Sequence, residues 1–293
     1  MKVELLSHWG DDLEVVNNAR VSFDKMSEWD YVPCEDAVNG VCGACDEDSG
    51  MPHGCWCPRQ VLKPADAHLI GYLARGCTSG QWDQILLDVS ESIHREQLEA
   101  ILKHVKRMPE HWAPFANGVG MKFRITAPIP IMRQVFKHKV GSVESEVSRR
   151  YVDDEPEFFY PEWRKRAENV KQGSSSEVFE PAPMEQWGRT YDPISGRSVE
   201  FMIPVDDQWF YQFCLDYYNH KLDQGCAPEQ ARFVLPQGTM TTAIISNSLY
   251  GWSRFFNQRS DRTHAQSEIA DIADMVATEA EPLFPVSWKA LTQ

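Results

Sequence analysis

The sequence of 293 residues has no long apolar run and no signal-like start. Its longest uncharged apolar stretches, such as the one around Ile244 and Ile245, fall far short of the roughly 20 residues that cross a bilayer. The stretch from Met1 to Asp12 carries Lys2 but lacks the apolar core of a signal peptide. We therefore expect no membrane span and no export.

Positive charge is also scarce. Lys and Arg number 29 against 43 Asp and Glu, which gives a net charge of −14 and argues against a general nucleic-acid-binding or anionic-membrane surface. Any phosphate ligand must therefore be bound by locally clustered cations. The eight Cys, in a chain of this length without a secretory signal, indicate reduced thiols or metal ligands and a cytoplasmic location.

What is present is the composition of a folded domain, because 42% of the residues are apolar and ten are Trp. Alternating periodicity predicts strands at 2–6, 119–126 and 240–246. Helical periodicity predicts helices at 12–22, 69–73, 80–108, 131–139, 209–222, 228–235, 249–258 and from 269 onward. Gly- and Pro-rich composition predicts a loop at 24–58. Polar and aromatic composition predicts a long ordered loop at 153–176 that ends in a mobile tip. We expect one α+β domain over 1–293 with an insertion at 24–108, made of a Cys-rich loop (34–57) and a helical pair.

The Cys-rich loop is a candidate zinc site. Its proposed ligands are Cys42, Cys45, Cys55 and Cys57, with Cys34 or His53 as alternates. Four soft ligands on a loop with little apolar content suit tetrahedral Zn²⁺ in a structural role. A set of free thiols in a flexible insertion is an equally weighted alternative.

Basic residues gather in two places in this acidic chain. The first group, between Pro128 and Arg150, consists of Arg133, Lys137, Lys139, Arg149 and Arg150, offset by Glu144 and Glu146. The second consists of Arg232, Arg254, Arg259 and Arg262. If the fold or an oligomer brings them together, their guanidiniums form an anion pocket suited to phosphates. Taken singly, each is a solvated surface charge, but this density of hydrogen-bonding groups is costly to bury without a ligand.

The first group also resembles a known signature. The run from Arg133 to Ser142, followed by Glu146 to Tyr151, resembles the motif of the flavin-dependent thymidylate synthases, which reads Arg-His-Arg, two residues, Ser, and then Glu-x-Ser-x-Arg-Tyr. Further matching blocks lie at 19–23, 111–115, 231–236, 257–259 and 264–266. The resemblance covers most of the chain apart from 24–108.

The resemblance implies the family's α+β fold, with an antiparallel sheet packed by long helices. It also implies methylation of dUMP to dTMP, with methylenetetrahydrofolate as carbon donor, NADPH as reductant and FAD as carrier between them. Family members are homotetramers whose active sites are shared between subunits. No Cys attacks the uracil in this family, in agreement with the absence of Cys between Cys77 and Cys214.

The resemblance also assigns roles to individual residues. Arg259 is the catalytic residue, whose guanidinium stabilises negative charge on the uracil ring. The residues assigned to dUMP are Gln134, Lys137, Glu146, Val147, Ser148, Arg149, Arg150, Arg232 and Arg259. The residues assigned to FAD are Ser22, His111, Ala113, Lys137, His138, Lys139, Glu146, Asn247, Ser248, Tyr250 and Arg254.

Some positions depart from the family pattern. Lys137 and Lys139 replace two arginines, which keeps the charge but loses the bidentate fork. One extra residue lies between Ser142 and Glu146. Two alternatives therefore stay open: a dUMP hydroxymethylase that uses the same site, and a nucleotide-binding or zinc-stabilised interaction protein without catalysis.

Overall fold

A computed structural model describes residues 1–33, 58–74, 111–151, 154–166, 174–192 and 194–292. The predicted helical pair, the whole Cys-rich loop (34–57) and the tip of the predicted loop at 153–176 lie outside the described residues.

Strands and helices alternate irregularly along the described chain. The strands are β1 (Lys2–Trp9), β2 (Asp30–Pro33), β3 (Pro58–Val61), β4 (Gly120–Pro128), β5 (Val143–Glu146), β6 (Arg164–Arg166), β7 (Ser174–Val178), β8 (Met184–Asp192), β9 (Arg197–Val205) and β10 (Met240–Ser248). The helices are α1 (Asp12–Arg20), α2 (Pro64–Ala74), α3 (Ile129–Val135), α4 (Asp207–Asp223), α5 (Pro228–Ala231), α6 (Leu249–Arg259), α7 (Ser267–Leu283) and α8 (Pro285–Thr292). Short 3₁₀ turns lie at Val21–Phe23, Ala113–Phe115 and Arg232–Val234.

The main sheet has the strand order β1-β4-β10-β5. The edge strand β5 pairs antiparallel with β10, so that Glu146 lies opposite Ala243. The predicted alternation of β4 is confirmed, since Met121, Phe123 and Ile125 are fully buried. The helices accompany antiparallel strands, which confirms the predicted α+β class.

Contacts divide the chain into two compact units. The first consists of Met1–Leu6, Lys122–Ser246 and Phe255–Val276, and the second of Ser7–Met121, Asn247–Arg254 and Ala277–Gln293. The first unit holds most of the main sheet, together with a hydrophobic cluster in which Leu215 and Tyr218 of α4 pack near Ala231 of α5. The expectation of one domain with an insertion stays a prediction.

The second unit is organised around the start of α1. Asp11 caps this helix by accepting a hydrogen bond from the amide of Glu14 at 2.8 Å. The next residue, Asp12, is buried, and its carboxylate accepts hydrogen bonds from the amides of Val286 and Ser287 in the first turn of α8, both at 2.9 Å. Burial raises the pKa of Asp12 above its ordinary value, and the hydrogen bonds from α8 oppose that rise. One carboxylate thus satisfies two otherwise free amides of α8.

The helix predicted at 131–139 is shorter than expected and begins earlier, at Ile129. It ends at Val135, after which the amides of Lys137 and His138 bond to the carbonyls of Gln134 and Val135. The chain turns between the end of α3 and the start of β5 at Val143. Gly141 lies in this connection and adopts a positive φ of 72°, which glycine tolerates. The basic residues at 137–139 therefore lie in a turn.

Three antiparallel strand pairs lie where the sequence predicted a loop or indicated no element. The loop prediction for 24–58 is wrong in part, because β2 pairs with β3. The loop prediction for 153–176 is wrong in part, because β6 pairs with β7. The longer hairpin pairs β8 with β9 over their full lengths, from Met184 opposite Val205 to Asp192 opposite Arg197. A final helix, α8, follows the predicted α7.

Candidate active site

A cleft of about 760 Å³ in the first unit, here called the loop cleft, gathers the largest set of predicted residues. Its charged lining consists of Arg133, Glu146, Arg149, Asp154, Glu155, Glu157 and Arg232. Its hydroxyl lining consists of Thr126, Ser148, Thr239, Thr241 and Thr242. Among the described residues that line it, the cleft therefore combines three guanidiniums with four carboxylates and five hydroxyls.

The loop after β5 is fixed along β10. The Thr241 hydroxyl donates a hydrogen bond to Glu146 Oε1 at 2.8 Å, and the amide of Val147 donates to the Thr242 carbonyl at 2.9 Å. Farther along, Arg149 Nη1 donates to the carbonyl of Asp154 at 2.7 Å. The predicted dUMP-binding residues 146–149 are thereby brought to one wall of the loop cleft.

Two further guanidiniums reach the loop cleft from separate elements. Arg232 follows α5, and its Nε donates to the Glu229 carbonyl at 3.2 Å. Arg133 of α3 donates from Nη1 to Gln237 Oε1 at 3.2 Å. Arg232 was predicted as a phosphate partner. Arg133 belongs to the first basic group, which the sequence predicted as part of an anion pocket, although the family resemblance did not assign it to dUMP.

Arg150, which was also predicted to bind dUMP, does not line the loop cleft. Its Nε lies 3.3 Å from the Ser148 hydroxyl, and its guanidinium lies over the Tyr151 ring at 5.1 Å. Arg150 therefore contacts a residue of the cleft wall without lining the cleft itself.

Arg259 belongs to a different group in the first unit, here called the Arg259 cluster and defined as Gln134, His138, Phe255, Arg259 and Gln266. Arg259 Nε donates to His138 Nε2 at 3.0 Å, and the His138 ring packs edge-on against Phe255 with centroids 5.0 Å apart. Gln134 Nε2 donates to Gln266 Oε1 at 2.9 Å. A guanidinium can only donate hydrogen bonds, so His138 Nε2 is the acceptor in this pair. Two side chains assigned to dUMP thus lie in the cluster and not in the loop cleft.

The lysines on either side of His138 are exposed. Lys139 is paired with Glu144 and lies over the Phe136 ring at 5.7 Å. After Arg259, the carboxylate of Asp261 accepts hydrogen bonds from Thr263 and His264, which lower the pKa of Asp261 to about 2. The loop that follows the cluster is therefore held by its own side chains.

A second cleft of about 930 Å³, here called the helix cleft, lies in the second unit. It gathers the predicted FAD residues Ser22, His111 and Ala113. Its basic or imidazole lining consists of Arg20, Lys25, His68 and His111. Among the described residues that line it there is no Asp or Glu, which is unusual in a chain with a net charge of −14.

The two helices that bound the helix cleft are joined by an ion pair between the half-buried Arg20 and the buried Asp66. Arg20 of α1 donates from Nε to Asp66 Oδ1 of α2 at 3.0 Å, and the Ser27 hydroxyl donates to the same oxygen at 3.0 Å. On α2, His68 and Tyr72 lie one turn apart and face the cleft, and the Tyr72 ring lies 6.2 Å from the His111 ring. Neither residue was assigned a role from the sequence, although their spacing of four residues could have indicated a shared face.

Four further predicted FAD residues, Asn247, Ser248, Tyr250 and Arg254, lie at the end of β10 and in α6, and none of them lines the helix cleft. Asn247 is buried and accepts a hydrogen bond at Oδ1 from the amide of Ser248 at 2.8 Å. Arg254 Nη1 donates to the Tyr250 hydroxyl at 3.1 Å.

The proposed zinc ligands, Cys42, Cys45, Cys55 and Cys57 with the alternates Cys34 and His53, lie outside the described residues. Within the part that is described, no group of three or more His, Cys, Asp or Glu is arranged to hold a metal ion. In that same part, no helix has the length and apolar character needed to cross a bilayer.

Comparison with known proteins identifies relatives that are named flavin-dependent thymidylate synthases. A flavin-dependent thymidylate synthase of Thermus thermophilus is 30% identical over 184 residues, which cover 62% of this chain and 60% of the relative. That of Kosmotoga olearia is 27% identical over 180 residues, covering 61% and 70%. That of Streptomyces avermitilis is 27% identical over 233 residues, covering 77% and 86%. The chain therefore spans about three fifths of the length of the Thermus relative.

A solved structure shares the fold. The UMP/dUMP methylase PolB from Streptomyces cacaoi, bound with 5-Br dUMP, aligns with 99% of this chain and 94% of its own at a TM-score of 0.57 and 21% identity. The family model described as thymidylate synthase complementing protein matches residues 61–286. The chain therefore belongs to the thymidylate synthase complementing protein family.

Proposed function

We propose that this protein is an enzyme that methylates dUMP to dTMP, with methylenetetrahydrofolate as carbon donor, NADPH as reductant and FAD as the carrier between them. The observation that carries the proposal is the convergence of residues 146–149 and Arg232 on one cleft, because these are residues that the family motif assigns to dUMP. The names of the relatives and of the PolB structure, which binds 5-Br dUMP, support the same substrate.

In this proposal the loop cleft binds the phosphate and sugar. Arg232 and Arg149 have the planar fork that matches a phosphate, and Ser148 adds a hydroxyl donor. Glu146, fixed by Thr241, is an acceptor for a sugar hydroxyl. We add Arg133 to the proposed dUMP residues, because it reaches the same cleft from α3. Arg150 would join them by turning from Tyr151 toward the phosphate.

The chemical problem is to make uracil C5 nucleophilic without an attacking cysteine. A guanidinium beside the ring stabilises the negative charge that develops there, and Arg259 is assigned this role. The hydrogen bond from its Nε to His138 fixes the plane of the guanidinium. His138 would therefore orient Arg259 as well as border the flavin. Gln134 and Lys137 complete the proposed dUMP set.

The helix cleft fits FAD. A cofactor with two phosphates and a flat aromatic ring suits a cleft that has basic side chains, Tyr72 and His111 on its walls, and no carboxylate among its described lining residues. When bound, FAD would transfer reducing equivalents from NADPH to the transferred carbon. The other residues proposed to contact FAD are Lys137, His138, Lys139, Glu146, Asn247, Ser248, Tyr250 and Arg254.

The remaining features of the proposal come from the family resemblance. They are a cytoplasmic homotetramer with active sites shared between subunits, a single domain with an inserted segment, and a structural zinc in the Cys-rich loop. Shared sites would explain why Asn247, Ser248, Tyr250 and Arg254, at the end of β10 and in α6, line neither cleft.

A visible spectrum of the purified protein, before and after addition of dUMP, tests the proposal. A flavin band that shifts with dUMP is expected, and a colourless protein that takes up no FAD would support the non-catalytic alternative. Product mass after incubation with dUMP, methylenetetrahydrofolate and NADPH then identifies the reaction. A gain of a methyl group is expected, whereas a gain of a hydroxymethyl group would show the hydroxymethylase.

A further inference from the structure

Helix α4 presents one face to a core and an aromatic face to water. Its inner face buries Leu215 and Tyr218 in the hydrophobic cluster. Its outer face carries Trp209, Phe213 and Tyr217, whose side chains are 37%, 53% and 44% exposed. These three residues, here called the aromatic ladder, follow one another at the four-residue spacing that stacks side chains along a helix.

The aromatic ladder is ordered along its length. The Trp209 and Phe213 rings are nearly parallel at 5°, with centroids 5.4 Å apart, and the Phe213 and Tyr217 rings are inclined by 13° at 6.4 Å. Single exposed aromatics are ordinary, but a contiguous aromatic strip is typical of an interaction surface, where such residues are enriched. The ladder therefore has the features of an interaction surface.

Charge along α4 indicates what the occupant is. The acidic residues Asp206 and Asp207 lie before the ladder, and the basic residues His220 and Lys221 lie after it. If a second α4 packs antiparallel with Phe213 opposite Phe213, Trp209 lies opposite Tyr217. In the same register, position 221 lies opposite position 205, next to the acidic pair. A parallel pair would instead set acid against acid, and its two helix dipoles would point the same way, which places like partial charges side by side.

We propose that the aromatic ladder is a contact between two copies of this chain, in which two α4 helices pack antiparallel about a twofold axis at Phe213. The contact is isologous, because each copy offers the same strip and the same two charged ends. Lys221, which already lies over the Tyr217 ring at 4.7 Å, would be covered by the partner together with that ring. This inference goes beyond the proposed function, which does not specify the face of the chain that makes a contact between subunits.

Cysteine cross-linking tests the register. A twofold axis at residue 213 brings the two copies of that residue together, so Phe213→Cys should give a disulfide-linked dimer on a non-reducing gel. Asn219→Cys is the matched control, because Asn219 is exposed on the same helix but away from the ladder. The other cysteines of the chain contribute the same background of disulfide cross-linking in both variants. Equal cross-linking in both variants, or none above wild type in Phe213→Cys, would overturn the proposal.

Sedimentation analysis tests the association itself. Phe213→Glu should raise the dissociation constant of the α4 contact by at least about 10-fold, as expected for a central aromatic of an interface. Tyr191→Glu, at an exposed aromatic of the β8–β9 hairpin, should leave the association unchanged. Circular dichroism confirms that both variants are folded. An oligomer held together by other faces would keep its mass in Phe213→Glu, which would overturn this proposal and leave the proposed function intact.

Discussion

The loop cleft and the helix cleft differ in the balance of their charges. The loop cleft sets guanidiniums beside carboxylates and hydroxyls, whereas the helix cleft has basic side chains and no carboxylate among the described residues that line it. A ligand that offers both a phosphate and sugar hydroxyls suits the first, and a ligand with several anionic groups and a large ring suits the second. In a chain with a net negative charge, a cleft lining without acidic side chains thus favours an anionic ligand as much as basic side chains do.

The largest expected effect concerns a residue that lines neither cleft. Arg259→Ala should lower turnover by about 100-fold to 1,000-fold, because it removes the donor assigned to the developing charge on the ring, while both clefts keep their ligands. Steady-state rates and the flavin content of the purified variant give the measurement. Arg262→Ala is the matched control, since Arg262 is engaged with Asp271 and Asp274 and should keep near-normal turnover. Near-normal turnover in Arg259→Ala would remove it from its assigned role.

The next effect tests the loop cleft. Arg232→Ala should raise the KM for dUMP by about 10-fold to 100-fold, because it removes a charge-assisted hydrogen bond to the phosphate, and flavin retention should not change. Arg189→Ala, which removes an exposed arginine paired with Glu200 on the β8–β9 hairpin, serves as control. If flavin is lost and the KM is unchanged, the ligand assignments of the two clefts are reversed.

A smaller effect tests the helix cleft. His68→Glu puts a carboxylate into the acid-free lining and should weaken FAD binding by about 10-fold through charge repulsion, with the KM for dUMP unchanged. Gly71→Glu is the control on the same helix, because a side chain there meets no atom within 4 Å and does not line the cleft. Fluorescence titration of the apoprotein with FAD measures the FAD affinity of both variants. Equal affinity in the two variants would argue against FAD in this cleft.

The smallest effect concerns Asp12, at the start of α1. Burial raises the pKa of Asp12, so between its ordinary value of 3.8 and the raised value the folded chain holds a proton that the unfolded chain has released. The free energy of unfolding should therefore fall as the pH rises through this window, by at most about 1.4 kcal/mol per pH unit. Urea unfolding should show that this contribution to the slope is absent in Asp12→Asn and retained in Glu14→Gln, at an exposed carboxylate. An unchanged slope in Asp12→Asn would contradict the pKa direction.

The fold was predictable where burial is periodic. Strand β4 and helix α7 were predicted because their inward residues, such as Phe123 and Ile272, are fully buried at regular spacing. The β8–β9 hairpin was not predicted, because nearly all of its side chains are exposed on both faces and its sequence shows no alternation of apolar and polar residues that would indicate a strand. The early end of α3 was missed because it depends on where β5 must begin, which local periodicity does not encode.

The candidate site was predictable to the extent that it follows one motif. Residues 146–149 are consecutive in the chain, so their position on one wall of the loop cleft could be expected from the sequence. Arg232 was assigned by a separate matching block. The role of Arg133 depends on a contact with Gln237, which lies more than a hundred residues later. The hydrogen bond from Arg259 to His138 joins residues equally far apart. Such pairings arise from tertiary packing and leave no mark in local sequence.

The antiparallel pairing of β2 with β3 has a consequence for engineering the chain. Positions 33 and 58 lie opposite one another in that ladder, so the two ends of the segment that joins β2 to β3 lie side by side. The register of the two strands is therefore compatible with connections of very different lengths. Replacement of residues 34–57 by a two-residue turn should leave β2 and β3 paired.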